Sequence, residues 1–108
     1  MQSEINTAST DTTTIQRNVP LFNLGRLVAT LGVLKALDEA GQAPEEFLHR
    51  HQRGDWGEIC DEDESENELS LAQGFRLLSA YRTAAGTKLW VITECDRSAT
   101  TMLLPSEY

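Results

Sequence analysis

Two stretches in the last third of the chain have the alternating pattern of a small antiparallel sheet. Residues 75–82 and 88–94 each divide into two interleaved sets of side chains, one more apolar than the other. Such a period of two is typical of strands whose two faces meet different surroundings. Ala-Ala-Gly-Thr at 84–87 separates the runs and predicts a tight hairpin turn. A third strand is expected to end at Leu104, because Pro105 cannot donate to a strand ladder.

The segment ahead of the sheet predicts a short strand followed by a first helix. Residues 24–29 are largely apolar and form the candidate strand. Thr30 is suited to cap the amino terminus of the helix, and Gly41 stands where a glycine commonly ends one. The residues expected on the buried face of this helix are Leu34, Leu37 and either Val33 or Ala40.

Two further helices are predicted before the sheet. The second begins at Pro44, which presets the backbone for a first turn, and ends at Gly54. The third begins inside an acidic run with capping-box patterns at Asp61 and Ser65, and ends at Gly74. In the second helix, the residues expected to point inward are Phe47, Leu48 and His51, and those expected to face solvent are His49, Arg50 and Arg53. In the third helix, the apolar contacts are expected from Leu69, Leu71 and Ala72.

These elements predict a single α+β domain at residues 21–108, preceded by a tail. Residues 1–20 are rich in Ser, Thr, Asn and Asp and contain only isolated apolar residues, so we expect a disordered segment there. A chain of 108 residues is long enough for one modest core. The expected architecture is two to three helices packed on one face of a three- to four-stranded antiparallel sheet.

The charge of the chain argues against direct binding to nucleic acid. Nine Lys and Arg stand against 17 Asp and Glu, which gives a net charge of −8. Phosphate binding depends on clustered Lys and Arg, so we expect neither nucleic acid nor an anionic membrane as a direct partner. The excess suits a surface kept acidic for solubility, a basic protein partner, or imitation of a nucleic acid's charge.

Features that would place the chain in or across a membrane are not apparent in the sequence. No apolar run approaches the roughly 18 residues of a membrane span. The first residues lack the basic-then-apolar order of a signal peptide. Cys60 and Cys95 form no C-x-x-C pair, so the expectation is a cytoplasmic protein with reduced thiols.

An acidic segment at 55–68 is the strongest composition shift in the chain and the leading candidate for partner binding. Its non-functional interpretation is a solvated helix terminus that is rich in carboxylates. A calcium loop of the EF-hand type is not expected, because Glu66 and Ala72 occupy the positions of the required glycine and glutamate. We expect no metal and no cofactor. The candidate partner-binding residues are Asp55, Trp56, Glu58, Asp61, Glu62, Asp63 and Glu64.

Trp56 has two interpretations. It stands among small residues in the loop after Gly54. Its ring would either fill one end of the core or serve as an exposed anchor for a partner, since tryptophans are common interface hot spots.

A second group of polar residues would suit an enzyme. His51, Arg76, Glu94 and Arg97 include a base, an acid and two cations, the groups that metal-independent RNA cleavage needs. The non-catalytic interpretation is that the charged members form ion pairs across strands or within a loop. His49 and His51 are two positions apart on a predicted helix, so they point in different directions and cannot share one metal ion.

Residues 24–108 resemble a family of small uncharacterised proteins encoded on bacterial plasmids, prophages and integrative elements. The resemblance lies in LVAT, the helix-ending AG, RHQRGDWG, the acidic segment with Asn67, GFRLLSAY, GTKLWVITE, DRSATT and LLPSEY. Some members are labelled as restriction-modification subunits, although no methyltransferase motif is present in this chain. Leu31 stands where relatives are expected to have proline, and Cys95 where they are expected to have alanine.

The resemblance implies an accessory role in a mobile genetic element and assigns no active site. With the acidic composition, it leads to an expected non-enzymatic inhibitor that engages a basic surface of a host defence or nucleic-acid-handling protein, of the anti-restriction or anti-CRISPR type. The alternative is a metal-independent ribonuclease toxin, because helices ahead of an antiparallel sheet are similar to barnase-like and RelE-like folds. A structural subunit of a larger assembly is a third expectation.

Overall fold

The computed structural model describes residues 19–108, so the predicted tail lies almost wholly outside the described residues. None of the helices in the described part is long and apolar enough to cross a membrane. The elements are β1 (Arg26–Ala29), α1 (Leu31–Ala40), α2 (Pro44–Gln52), α3 (Asp61–Gln73), β2 (Leu77–Arg82), β3 (Lys88–Thr93), β4 (Ala99–Leu103) and a closing 3-10 turn (Pro105–Glu107).

The four strands form one sheet in the order β1-β4-β3-β2. β2, β3 and β4 are antiparallel neighbours, and the pairing of Ser79 with Val91 confirms the predicted hairpin and its alternation. β1 pairs in parallel with β4, with Val28 opposite Thr101. The predicted α+β architecture is confirmed, and the sheet is mixed because the chain passes through three helices before its last strand returns beside the first.

α1 and α2 cover one face of this sheet and form the core with it. Thr30 caps α1 by accepting a hydrogen bond from the Val33 amide at 3.2 Å, and Gly41 ends the helix in the left-handed conformation at φ 67°. The prediction that Leu34 is buried is wrong, since 43% of it is exposed. Its helical position lies at the margin of the buried face. The core cluster contains Val33, Leu37, Phe47, Leu48, Tyr81, Leu89, Val91 and Met102.

α3 has a polar inner face. The helix begins at Asp61, with Cys60 as an N-cap that makes no side-chain hydrogen bond, so neither predicted capping box forms. Its two buried residues are Asn67 and Ser70. The prediction that Leu69 and Ala72 supply the inward contacts is wrong, because both are exposed. The helix is held by polar groups, which hydrophobic periodicity does not reveal.

Candidate functional site

α3 is held against the outer edge of β2 by a side chain that behaves like a neighbouring strand. The Asn67 amide nitrogen donates to the Leu78 carbonyl at 2.7 Å, and the Leu78 amide donates to the Asn67 side-chain oxygen at 3.1 Å. Two residues further along β2, the Ala80 amide donates to the Trp56 carbonyl at 3.0 Å, and the Ala80 carbonyl accepts from the Glu58 amide at 2.6 Å. These bonds close the β2 edge and fix α3 beside it.

Replacing Asn67 by alanine is expected to lower the free energy of unfolding by about 1–3 kcal/mol, because the Leu78 amide and carbonyl lose their partners in a half-buried position. Chemical denaturation measures the loss. Glu66→Ala is the control: it is an exposed neighbour on the same helix and should change stability by no more than about 0.5 kcal/mol. Equal effects of the two variants would contradict this role of Asn67.

The acidic surface, defined as Asp61, Glu62, Asp63, Glu64 and Glu66, occupies the first turns of α3. All five residues are exposed. Among the described residues, none of their carboxylates takes part in a hydrogen bond or an ion pair. Negative charge at a helix amino terminus is favourable, which is one reason the run folds as a helix despite its mutual repulsion. The charge of this surface is therefore available to a partner.

Two predicted partner-binding carboxylates outside α3 are already paired within the chain. The Arg50 side chain donates to Asp55 at 2.7 Å, and Arg82 donates to Glu58 at 2.9 Å. Both pairs are at least two-fifths exposed, so each is worth only a few tenths of a kcal/mol to about 1 kcal/mol. These residues remain accessible, but their charge is largely balanced.

A groove runs beside the acidic surface, between α3 and the start of β2. Its volume is about 450 Å³. Leu69 and Phe75 are 53% and 54% exposed there, which places apolar side chains next to the carboxylates of Asp63 and Glu66. The sequence interpretation missed both apolar residues, because it assigned Leu69 to the helix interior and Phe75 to a strand. The lining residues are Asp63, Glu66, Asn67, Leu69, Ser70, Phe75, Arg76 and Leu78.

Trp56 belongs to the core. It is 3% exposed, its ring stacks on Phe22 with centroids 6.4 Å apart, and it meets the His51 ring edge-on at 5.7 Å. The indole nitrogen donates to Glu68 at 3.0 Å. The structure thus agrees with the core-filling interpretation, and the Trp56 ring is not available as an exposed anchor.

A buried hydrogen-bond chain centred on His51 crosses the sheet beneath α2. Thr100 donates its single hydroxyl proton to the Leu24 carbonyl at 2.8 Å, so the 2.7 Å contact between Thr93 and Thr100 is a donation from Thr93. Thr93 must then accept from His51 Nε2 at 2.9 Å. The remaining nitrogen, Nδ1, accepts from Ser79 at 2.6 Å. For a neutral imidazole, the network therefore places the proton on Nε2.

Burial keeps this imidazole neutral. His51 is 0% exposed, and desolvation, with a smaller effect of the Arg97 charge, lowers its pKa from 6.5 to about 3. A general base must reach the proton that it removes. Both nitrogens of His51 are occupied and closed off from solvent, so the residue serves the packing of α2 on the sheet.

The other members of the proposed ribonuclease set lie apart from His51 or have structural partners. Arg97, in the left-handed region at φ 61°, donates to the carbonyls of Ser70 at 3.0 Å and Phe75 at 2.7 Å. Arg76 donates to the Tyr108 hydroxyl at 3.0 Å. Glu94 is exposed. The described structure therefore does not gather His51, Arg76, Glu94 and Arg97 into one open site.

The fold and these surfaces define a small α+β protein with a closed polar core network and an exposed acidic groove. Comparison of the chain with protein-family models, with curated proteins and with solved structures gave no match in any of the three.

Proposed function

We propose that this chain is a non-enzymatic binding protein whose acidic surface on α3 engages a basic surface of another protein. The observation that carries the proposal is the set of exposed carboxylates on α3 that no cation of the described chain neutralises. A partner rich in Lys and Arg would supply the positive charge that neutralises these carboxylates, and their negative potential would steer the partner toward the surface.

The adjoining groove supports a protein partner over a simple counter-ion. Exposed Leu69 and Phe75 offer apolar area immediately beside Asp63 and Glu66. Lys and Arg side chains carry long apolar stems below their charged heads, so such a mixed surface suits them well. Burial of the apolar residues would add affinity that salt does not screen.

The biological setting of the proposal comes from the sequence resemblance. In an accessory protein of a plasmid, prophage or integrative element, the basic partner would be a host defence or nucleic-acid-handling protein, and the interaction would be inhibitory, as in the anti-restriction and anti-CRISPR types. Such partners expose basic grooves for nucleic acid, which an acidic surface can occupy. The protein would act in the cytoplasm, where these partners work.

A triple variant tests the acidic surface. Asp61→Asn, Asp63→Asn and Glu64→Gln together should weaken capture of the partner from a host lysate at least tenfold and flatten its dependence on salt, because three unpaired charges are removed. Capture is compared at low and physiological salt, with the captured protein identified by mass spectrometry and its affinity measured with the purified pair.

The matched control removes three charges elsewhere. Asp38→Asn, Glu39→Gln and Glu94→Gln are exposed positions outside α3, so they change the net charge by the same amount and leave the acidic surface intact. This control should bind as the unmodified protein does. Unchanged affinity in the α3 triple variant, or an equal loss in both, would refute the proposed site.

A further inference from the structure

The two edges of the sheet differ in whether their outward backbone groups have hydrogen-bond partners. The β2 edge is closed by Asn67 and by the backbone around Trp56. β1, the other edge strand, pairs only with β4 among the described residues. The Arg26 and Thr30 amides donate to β4 and its preceding turn, so the alternate residues between them, Leu27 and Ala29, direct their amides and carbonyls away from the sheet.

Apolar side chains surround this open edge. Leu27 is 55% exposed, Val28 42% and Leu31 86%. A groove of about 200 Å³ lies between β1 and the start of α2. Glu45 is the one charged residue among those that line it, all of which belong to the described part of the chain: Leu27, Val28, Ala29, Pro44, Glu45, Leu48, Thr100 and Met102.

The distribution of charge makes β1 the face on which a second copy of this chain can bind with the least repulsion. At a net charge of −8, two copies repel each other wherever their acidic surfaces approach. Those surfaces lie on α3, which contacts β2 at the far edge of the sheet. Association through β1 would place the two α3 helices at opposite ends of one continuous sheet, where the repulsion is smallest.

We propose that β1 pairs with β1 of a second copy, antiparallel and centred on Val28, to form a two-fold dimer with an eight-stranded sheet. Only this kind of register brings the outward amides and carbonyls of Leu27 opposite those of Ala29 in the second copy, and the reverse. Such self-complementary contact is the ordinary geometry of a two-fold interface. The two Val28 residues then face each other as a non-hydrogen-bonded pair.

This register also accounts for the apolar groove. Side chains of cross-strand partners lie on the same face of a sheet. Leu27 of the second copy would therefore lie beside Ala29, which lines the groove together with Leu48 and Met102. The exposed leucine of each copy would cover the groove of the other.

The mass of the full chain in solution tests the dimer. Light scattering after gel filtration, over a concentration series, should give twice the 12.0 kDa of one chain. Leu27→Lys should return the mass to that of a monomer, because a lysine on an edge strand blocks further pairing. Leu69→Lys is the matched control: Leu69 is 53% exposed against 55% for Leu27 but lies on α3, and this variant should remain a dimer. Circular dichroism checks that both variants are folded.

Cross-linking tests the register. Both free cysteines are exposed, so Cys60 and Cys95 are first changed to serine. In that background, Val28→Cys should form an intermolecular disulfide under mild oxidation, since the paired Cα atoms would be about 4.5 Å apart. Arg26→Cys should not, because its two copies would lie about 13 Å apart.

Three results would overturn the proposal. A monomer at all concentrations would exclude the second copy and leave the open edge to a strand from elsewhere. A dimer that Leu69→Lys disrupts and Leu27→Lys does not would place the interface on α3. A dimer in which Arg26→Cys cross-links and Val28→Cys does not would exclude the register centred on Val28. None of these results depends on whether the acidic surface binds a basic partner.

Discussion

Lowering the pH from neutral to about 5 is expected to reduce the free energy of unfolding by about 2 kcal/mol through His51 alone. The pKa of this residue is lowered from 6.5 to about 3 by burial and by the nearby Arg97 charge. Few groups titrate between pH 7 and 5, because carboxyl groups generally take up protons near pH 4. Hydrogen bonds from Ser98 and Thr30 lower the pKa values of Asp96 and Glu107, so the stability that these two carboxylates contribute is lost as the pH falls from the ordinary carboxyl range near 4, below the window of His51 between pH 7 and 5.

The direction of the effect follows from which state binds the proton. Above pH 6.5 the imidazole is neutral in both the folded and the unfolded chain, and its contribution to stability is fully present. Between pH 6.5 and 3 the unfolded chain binds a proton that the folded chain excludes. Stability therefore falls as the pH falls, by about 1.4 kcal/mol for each pH unit across this window.

Denaturation with urea at a series of pH values measures this slope. His51→Leu should be less stable at neutral pH, because Ser79 and Thr93 lose their shared partner, but its stability should hardly change between pH 7 and 5. His49→Gln, an exposed position on the same helix, should keep the slope of the unmodified protein.

A second measurement uses the unmodified protein, in case His51→Leu does not fold. The NMR signals of the His51 ring should show a neutral imidazole protonated on Nε2 down to about pH 4. Protonation of the folded His51 near pH 6, or an unchanged pH slope in a folded His51→Leu, would disprove the buried neutral network.

Elements with local signals were predictable from the sequence. Thr30, Gly41 and Pro44 fix helix ends through their own backbone and side-chain chemistry, and each acts as expected in the structure. The β2–β3 hairpin was equally predictable, since alternation and a glycine-containing turn determine which residues pair. Such features depend on residues that are close together in the chain, so a local sequence pattern is enough to predict them.

Features that depend on distant residues were not predictable. The parallel pairing of β1 with β4 joins Arg26 to Ala99 across most of the described chain, and nothing local in four exposed residues specifies it. The inner face of α3 was misassigned for a related reason: Asn67 is buried because it bonds the backbone of Leu78. A hydrophobic pattern cannot show a polar side chain that completes a sheet edge.

The candidate site was predictable in its charge but not in its shape. The acidic run from Asp61 to Glu64 is a matter of composition, and the structure leaves it exposed. The groove beside it forms because Leu69 lies on the exposed side of α3 and Phe75 lies just ahead of β2. The bond between Asn67 and Leu78 sets both positions, because it determines which side of α3 faces the sheet. The buried partners of His51 show the same limit, because Ser79, Thr93 and Thr100 meet it only once the strands are aligned.

Trp56→Ala is expected to lower the free energy of unfolding by about 3–5 kcal/mol, a large part of the stability of a small domain. The substitution would open a cavity beside the rings of Phe22 and His51, which both contact the indole ring. It would also remove the hydrogen bond that links the loop to Glu68 on α3. Thermal and chemical denaturation followed by circular dichroism measure the loss.

Trp90→Ala is the matched control, since the chain contains two tryptophans. Trp90 is only half-buried, and its indole meets the ring of Tyr108 at 5.6 Å near the end of the chain. Its removal leaves a partly open surface rather than an internal cavity, so the loss should be clearly smaller. A greater loss for Trp90→Ala than for Trp56→Ala would contradict the assignment of Trp56 to the core.

Trp56→Phe separates a role in the core from a role in binding. Phenylalanine keeps an aromatic ring packed against Phe22 and His51 but cannot donate to Glu68, so we expect a loss of about 1–3 kcal/mol and a folded protein. Because Trp56 is buried while the acidic surface is exposed, this variant should bind the basic partner with unchanged affinity once it is folded. A folded Trp56→Phe with intact stability and lost binding would show instead that the indole itself contacts the partner.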